Sequence, residues 1–322
     1  MKNNWTIEEV TEIYDKPFLE LVYEAASVHR QYHNSREVQI STLFSVKTGG
    51  CQEDCSYCSQ SSKYHTGLHP SRIYDLEKVV ETAKIASDAG ATRFCMGAAQ
   101  RDVKDNKEFE VILQMVSEIN NLGMEVCCTL GMLSLEQAQR LAAAGLHTYN
   151  HNIDTSREFY GNVITTRTFD DRLATLENVR KANLQVCCGG IVGMGESKED
   201  KIRMIHTLAT LPKYPESVPI NALVPIKGTP FEDLPKITVW EMVRVIATTR
   251  ITMPKAIVRL SAGRLEMSIV EQAFCFLAGA NSIFSGDKLL TTPNPSLDED
   301  MQMLELLGLV PKPKLSRSEI PV

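Results

Sequence analysis

The chain has 322 residues, with 34 Lys and Arg against 40 Asp and Glu, which gives a formal net charge of −6 at pH 7. This acidic balance, without a long basic run, argues against nucleic acid and anionic membrane surfaces as partners. No stretch approaches the roughly 18 apolar residues of a membrane span, and residues 1–9 carry no apolar signal-peptide core, so we expect a cytoplasmic protein.

The first part of the chain predicts two helices. Thr6-Ile7-Glu8-Glu9 has the form of a capping box, and Asp15-Lys16-Pro17 opens a second amphipathic segment that runs to about His33. We expect residues 1–37 to form helices that pack on the outside of the fold or close its bottom.

From Val38 onward, short apolar or β-branched runs alternate with helical patterns, which is typical of βα units around a parallel sheet. Eight units predict an α/β fold, a (β/α)8 TIM-type barrel over residues 38–310, with the active site at the C-terminal ends of its strands. Residues 311–322 are expected to form a flexible tail. The predicted strands are 39–46, 92–97, 124–130, 147–153, 185–192, 217–224, 256–262 and 281–285. The predicted helices are 75–88, 106–121, 134–144, 168–182, 197–211, 238–252, 265–278 and 298–307.

Three cysteines, Cys51, Cys55 and Cys58, lie close together in a Cys-x3-Cys-x2-Cys loop after the first predicted strand. Three thiolates without a fourth at matching spacing favour a four-iron cluster that keeps one iron open for a small molecule. The alternative is a zinc site with His65 or His69 as the fourth ligand. The chain has nine cysteines, an odd number, which argues for reduced thiols used in metal binding and against a disulfide framework.

Alternation along the predicted strands turns four further side chains into the barrel. The more apolar face of each strand should meet the helices, which leaves Cys95, Cys127, Cys187 and Arg259 on the inner face. A single buried cysteine is usually a packing residue, but a buried Arg also needs an anionic neighbour, which bound thiolates would supply. We assign Cys128, Cys188 and Cys275 to packing.

The cysteine loop, with an aromatic residue before its last Cys, resembles the signature of the radical S-adenosylmethionine enzymes. Over about residues 38–295 the chain closely resembles the biotin synthase family of that superfamily. The resemblance is carried by the loop and by residues 149–155 (Tyr-Asn-His-Asn-Ile-Asp-Thr), 189–196 (Gly-Gly-Ile-Val-Gly-Met-Gly-Glu), 258–264 (Val-Arg-Leu-Ser-Ala-Gly-Arg) and 289–295 (Leu-Leu-Thr-Thr-Pro-Asn-Pro).

This resemblance implies an enzyme with two clusters. Cys51, Cys55 and Cys58 would hold a [4Fe-4S] cluster that binds and cleaves S-adenosylmethionine, and Cys95, Cys127, Cys187 and Arg259 would hold an auxiliary [2Fe-2S] cluster. The 5'-deoxyadenosyl radical would remove hydrogen from unactivated carbons of dethiobiotin, and sulfide of the auxiliary cluster would be inserted to form biotin. The resemblance also implies a flavodoxin- or ferredoxin-like electron donor, the iron-sulfur assembly machinery as a partner, and a homodimer.

Polar residues near strand ends are the remaining candidates. For S-adenosylmethionine we expect contacts from Tyr57, Asn152, Asp154, Arg172, Gly189 and Ile191, with Arg172 pairing with the carboxylate. For dethiobiotin we expect Asn152 and Asn221 at the ureido ring and Thr291 and Thr292 at the carboxylate. The alternatives are a strand-end turn for Asn152 and Asp154, a structural Asn221 and a surface Arg172. His151 falls on the other face of its strand and is expected to be a packed histidine.

Three other functions remain open at this point. Another barrel-type radical enzyme, of the hydrogenase-maturation or methylornithine-forming kind, would share the cysteine loop but is not expected to carry the inner Cys, Cys, Cys, Arg set. A non-catalytic iron-sulfur carrier has little need for a barrel with an Asn-lined cavity. A zinc-binding structural protein would hold zinc without iron or sulfide.

Overall fold

The computed structural model describes residues 2–314, which form a closed barrel of parallel strands surrounded by helices. The strands follow one another around the barrel in sequence order, and β9 pairs back onto β1 to close it. The (β/α)8 prediction is therefore confirmed. The strands are β1 (Glu37–Lys47), β2 (Arg93–Ala98), β3 (Glu125–Thr129), β4 (Thr148–Asn150), β5 (Gln185–Cys187), β6 (Gly190–Val192), β7 (Ser217–Ala222), β8 (Ile257–Leu260), β9 (Ser282–Phe284) and β10 (Val310–Pro311).

The helices follow the predicted pattern with small shifts at their ends. They are α1 (Ile7–Tyr14), α2 (Phe18–Tyr32), α3 (Leu76–Asp88), α4 (Lys107–Asn121), α5 (Leu135–Ala143), α6 (Tyr160–Val163), α7 (Phe169–Lys181), α8 (Lys198–Ala209), α9 (Val239–Thr252), α10 (Ile269–Leu277) and α11 (Leu297–Leu306). The sequence did not predict α6. Arg264–Glu266 forms a separate 3-10 turn, so α10 begins later than predicted.

The predicted fifth strand, 185–192, is interrupted in its middle. Its two halves, β5 and β6, pair with β7 in one continuous register, because Cys187 opposes Ser217 and Gly190 opposes Ile220. A Cβ added to Gly189 would lie 1.9 Å from the carbonyl oxygen of Pro219. Glycine is therefore needed here so that the backbones of adjacent strands can approach each other.

The N-terminal helices pack on the outside of the barrel. Thr6 and Glu9 form the predicted capping box of α1, which packs against α8 and α9, while α2 packs against α9. At the other end, β10 pairs with β1, and the backbone N–H of Lys312 donates to Val38. Paired backbone thus extends into the predicted tail, whose residues 315–322 lie outside the described part of the chain. Across residues 2–314 no helix has the length and apolar character needed to cross a membrane.

Candidate functional site

A cavity of about 320 Å³ opens at the C-terminal ends of the strands. Both groups of candidate thiols line it, together with Arg259 and most of the predicted polar residues. The members of the two groups are Cys51, Cys55 and Cys58 from the loop after β1, and Cys95, Cys127 and Cys187 from β2, β3 and β5. Neither His65 nor His69 lines this cavity, and both are exposed.

The loop that carries the first three cysteines is held in a fixed shape by its backbone. Gly49 and Gly50 both have φ of 71°, a left-handed conformation that glycine adopts without strain. Cys51 pairs with the returning segment, donating its N–H to Gln60 and accepting from Ser62. A tight turn follows, in which the N–H of Cys58 donates to Cys55 at 2.9 Å. Main-chain hydrogen bonds thus hold the three cysteines close together.

Two acidic residues between these cysteines attach the loop to the segment before α7. The Asp54 carboxylate accepts hydrogen bonds from the backbone N–H groups of Thr165 and Thr166, at 2.9 and 3.1 Å. Glu53, which is 1% exposed, accepts from the Thr166 hydroxyl and lies 3.2 Å from a guanidinium nitrogen of Arg101. The two acidic residues of the Cys-Gln-Glu-Asp-Cys sequence therefore fix the cysteine loop to the segment before α7.

Burial controls the protonation of the first three thiols. It raises the pKa of Cys55 to about 12 and that of Cys58 to about 11, and it also raises the pKa of Cys51. Without metal these thiols remain protonated at neutral pH, so metal binding has to displace their protons.

The second group of thiols forms a small cluster inside the barrel. Cys95 and Cys127 are directly opposed on β2 and β3, and the side-chain amide of Asn150 on β4 donates to the sulfur of Cys187 at 3.2 Å. A hydrogen bond with Cys127, followed by the positive charge of Arg259, lowers the pKa of Cys187 well below its usual value and also lowers that of Cys95. The hydrogen bonds with Cys187 and Cys95 raise the pKa of Cys127 well above its usual value, so the site favours the thiolate form of Cys187 and Cys95 and the thiol form of Cys127. Phe284, Leu43 and Leu289 pack against it.

Arg259 is 1% exposed and reaches these thiols from β8. Its Nη1 lies 4.0 Å from the sulfur of Cys187, its Nε donates to the Ser282 hydroxyl at 3.0 Å, and its Nη2 donates to Ser41 at 3.2 Å. These partners are neutral in the absence of thiolates, so the arrangement suits a guanidinium that faces an anionic group.

The remaining cysteines lie elsewhere. Cys128 and Cys188 are fully buried in the large hydrophobic core on the outer face of the strands, and Cys275 belongs to the same core. Burial raises the pKa of each thiol, to about 12 for Cys275. They behave as packing residues, as the alternation of the strands predicts. All nine cysteines are free thiols.

Asp154 and Arg172 form a buried ion pair at the cavity wall. The carboxylate of Asp154 also accepts from the Tyr57 hydroxyl at 3.1 Å, and the Nε of Arg172 donates to the Tyr160 hydroxyl at 2.9 Å. Asp154 has φ of 66°, a left-handed conformation that Asp tolerates better than most residues. Arg172 is only 4% exposed, so the surface alternative for Arg172 is wrong.

The predicted glycine and amide residues differ in what they contact. The side-chain oxygen of Asn152 accepts from the Gly189 N–H at 3.1 Å, and Asn221 bonds to the backbones of Gly190 and Ala262, so both amides also support the strand ends. Both amides and Ile191 line the cavity, whereas Gly189 lies behind it against Pro219. His151 is buried, and burial lowers its pKa well below the usual value, as expected for a packed histidine.

Thr291 and Thr292 lie on the loop between β9 and α11, which covers the cavity. The Thr291 hydroxyl is 2.8 Å from the hydroxyl of Ser59, directly after Cys58, so this loop touches the cysteine loop. Leu290 packs against Gly97 of β2, where an added Cβ would lie 2.5 Å from its Cδ2.

Sequence reasoning missed two residues beneath the inner thiols, Arg93 and Gln39. Arg93, 3% exposed, pairs with Glu125 at 2.6 Å, and Glu125 accepts from Gln39, whose side-chain oxygen lies 3.5 Å from Arg259. Arg93 is two residues before Cys95, so the strand alternation that identified Cys95 also identifies Arg93.

In the described range, 2–314, no group of three His, Cys, Asp or Glu side chains is arranged to hold a metal ion. The fit of the thiols to iron-sulfur clusters therefore depends on their donor chemistry and on the buried guanidinium group of Arg259, which suits an anionic cluster.

Comparison with known proteins identifies close relatives. Residues 45–209 match the profile of the Radical SAM superfamily, and residues 219–310 match the Biotin and Thiamin Synthesis associated domain. The chain is 58% identical to the biotin synthase of Cytophaga hutchinsonii over 100% of this chain and 95% of that protein. It is 59% identical to the mitochondrial biotin synthase of Arabidopsis thaliana, over 97% of this chain and 83% of that protein. The solved structure of a methylornithine synthase has the same fold, with a TM-score of 0.80 and 19% identity over 96% of this chain and 94% of that chain.

Proposed function

The chain belongs to the biotin synthase family of radical S-adenosylmethionine enzymes, and we propose that its barrel cavity holds two iron-sulfur clusters and both substrates of sulfur insertion into dethiobiotin. Cys51, Cys55 and Cys58 hold the [4Fe-4S] cluster. Cys95, Cys127, Cys187 and Arg259 hold the auxiliary [2Fe-2S] cluster. The observation that carries the proposal is that both groups of thiols line one cavity.

When bound, the first cluster supplies the electron that cleaves S-adenosylmethionine, and the second supplies the sulfur. The residues of the chain bind and orient S-adenosylmethionine and dethiobiotin and shield them from solvent. The pair of Asp154 and Arg172 holds the Tyr57 hydroxyl beside Cys58, and this group lines the part of the cavity where S-adenosylmethionine would bind. Because Arg172 is already paired, it would bind the carboxylate of S-adenosylmethionine as part of this network and not as an isolated cation.

Dethiobiotin would lie between the two groups of thiols. Asn152 and Asn221 line the cavity wall, where amide groups can pair with the ureido ring, and Thr291 and Thr292 line the same cavity from the loop between β9 and α11. Leu289 and Phe284 pack against the inner thiols and suit the alkyl part of the substrate.

The proposal is tested with anaerobically reconstituted protein, dethiobiotin, S-adenosylmethionine and a strong reductant, with biotin and 5'-deoxyadenosine measured by mass spectrometry. Both products are expected. Deoxyadenosine without biotin, from protein that holds both clusters, would keep the radical chemistry and reject dethiobiotin as the substrate.

The partners belong to the same proposal. A flavodoxin- or ferredoxin-like donor supplies electrons, and the iron-sulfur assembly machinery rebuilds the auxiliary cluster. Nine free thiols support a reducing compartment, which we propose is the cytoplasm.

A homodimer is proposed because one side of the barrel exposes large apolar side chains. The rings of Phe18 and Trp240 are 5.2 Å apart and those of Trp240 and Phe274 are 6.1 Å apart, which joins α2, α9 and α10 in one patch. Leu19, Tyr23 and Val270 on these helices are more than two-thirds exposed, at 72%, 73% and 68%. A monomeric mass in solution, measured by sedimentation, would contradict the dimer.

A further inference from the structure

Arg167 is a buried guanidinium beside the first group of thiols. Its side chain is 7% exposed, and its Nη2 lies 4.0 Å from the sulfur of Cys55. Its Nε and Nη1 are buried and have no hydrogen-bond partner among the described residues. A buried cation with unsatisfied donors is costly unless an anionic group lies next to it.

Glu53, the acidic residue near Arg167, accepts no hydrogen bond from the N–H donors of Arg167. Glu53 lies 3.9 Å from the Nε of Arg167, too far for a hydrogen bond, and its carboxylate is already used by the Thr166 hydroxyl and by Arg101. Arg172, the other guanidinium on this side of the cavity, is compensated by Asp154. The positive charge of Arg167 is therefore the least compensated charge beside the cysteine loop.

The position of Arg167 is fixed by the residues before it. The backbone N–H groups of Thr165 and Thr166 donate to Asp54, which lies directly before Cys55 in the loop. The backbone that carries Arg167 is therefore held at a constant separation from the loop. Such a rigid contact is suited to adjusting the electronic properties of a bound cluster, because no rearrangement is needed when its charge changes.

We propose that Arg167 raises the reduction potential of the [4Fe-4S] cluster bound by Cys51, Cys55 and Cys58, by holding a positive charge and N–H donors against the sulfur of Cys55. The inference rests on the proposed function. The step concerned is the transfer of one electron from the one-electron donor to the cluster, with no bond formed or broken and no proton moved. The added negative charge is stabilised by a nearby fixed cation, and hydrogen bonds to sulfur act in the same direction.

The test compares Arg167→Gln with Arg157→Gln in the full chain, reconstituted anaerobically with iron and sulfide. Arg157 is in the same connecting region between β4 and α7, but its side chain is 50% exposed and pairs with Asp170, so its replacement removes the same charge without a contact to Cys55. The midpoint potential is measured without S-adenosylmethionine, by mediated redox titration followed by electron paramagnetic resonance of the reduced cluster. We expect a more negative potential in Arg167→Gln and the parent value in Arg157→Gln.

An unchanged potential in Arg167→Gln, or an equal shift in both variants, would overturn the inference. If Arg167→Gln folds but binds no four-iron cluster, Arg167→Lys is measured instead. Lysine keeps the positive charge, but its shorter side chain moves that charge away from the sulfur of Cys55, so a potential below the parent value supports the inference and an unchanged or higher one overturns it. A parent protein without a four-iron signal would reject the proposed function itself, which is a different result from an unchanged Arg167→Gln potential.

Discussion

The Nη1 of Arg259 lies 4.0 Å from the sulfur of Cys187, deep inside the barrel. The other hydrogen bonds of this guanidinium go to Ser282, Ser41 and Gln39, which are neutral. A thiolate of the inner group is therefore the anion that can compensate its positive charge. Arg259 also stacks on Phe284, with its Cζ 4.5 Å from the ring centroid. The Arg259 guanidinium, the Phe284 ring and the inner thiols therefore form one contiguous cluster, here called the Arg259 unit.

Replacing Arg259 by Met tests this unit. The auxiliary cluster should be loosened or spectroscopically altered, and biotin formation should fall by roughly 10- to 100-fold, the usual cost of losing a residue that holds or orients a metal site. Cleavage of S-adenosylmethionine should continue, because Cys51, Cys55 and Cys58 are unaffected. Loss of deoxyadenosine formation together with biotin would mean that Arg259 serves the other cluster.

Cys187 and Cys188 provide a matched pair of neighbouring buried thiols. Cys187→Ser should remove the iron of the auxiliary cluster and abolish biotin formation, because Cys187 faces Arg259 in the cavity. Cys188→Ser should keep both clusters and cost about 1–2 kcal/mol of stability, since it places a hydroxyl in an apolar core. Iron analysis, product assays and urea unfolding of the apoprotein measure these effects. Equal iron loss in both variants would contradict the assignment of strand faces.

The inner thiols were predictable because strand alternation is a local rule. Once Val126 and Cys128 are taken as helix-facing, Cys127 must point inward, and the same reasoning places Cys95, Cys187 and Arg259. The number and order of the barrel strands were predictable because the alternation of strand and helix segments can also be read along the chain.

Contacts between distant loops were not predictable from such rules. The bond from Asp54 to Thr165 joins residues 111 positions apart, and the contact between Ser59 and Thr291 spans 232 positions. Arg172 illustrates the limit, because its sequence position near a helix start allowed a surface residue, while its pairing with Asp154 depends on where α7, packed on α5 and β5, lies relative to the segment after β4. Gly189 was expected at the cofactor, but the close approach that it permits is to Pro219.

The buried histidines predict a loss of stability in acid. Burial, followed by the positive charge of Arg250, lowers the pKa of His29 to about 3 and that of His33 to about 4, against about 6.5 in the unfolded chain. Between these values the unfolded state binds more protons, so stability is present above pH 6.5 and is lost as the pH falls toward 4. The low pKa of His29 alone should lower the free energy of unfolding by up to roughly 2 kcal/mol between pH 7.5 and pH 5.

Thermal unfolding of the apoprotein at several pH values measures this effect. The unfolding temperature of the His29→Leu variant should depend less steeply on pH than that of the parent. Replacement of the exposed His69 by Leu should leave the pH dependence of the unfolding temperature unchanged. Parallel curves for His29→Leu and the parent would show that His29 does not carry the effect.

Gly97 tests whether the loop between β9 and α11 positions the substrate. A methyl group at residue 97 would lie 2.5 Å from the Cδ2 of Leu290, so the end of this side chain, which lines the cavity, must shift. We expect Gly97→Ala to raise the KM for dethiobiotin by roughly tenfold, because a displacement on the order of 1 Å is enough to disturb binding geometry. Stability should change little, since a side chain on a surface loop can move. Gly161→Ala is the control, because an added Cβ there meets nothing within 4 Å. An unchanged KM in Gly97→Ala would show that the position of the Leu290 side chain does not affect the binding of dethiobiotin.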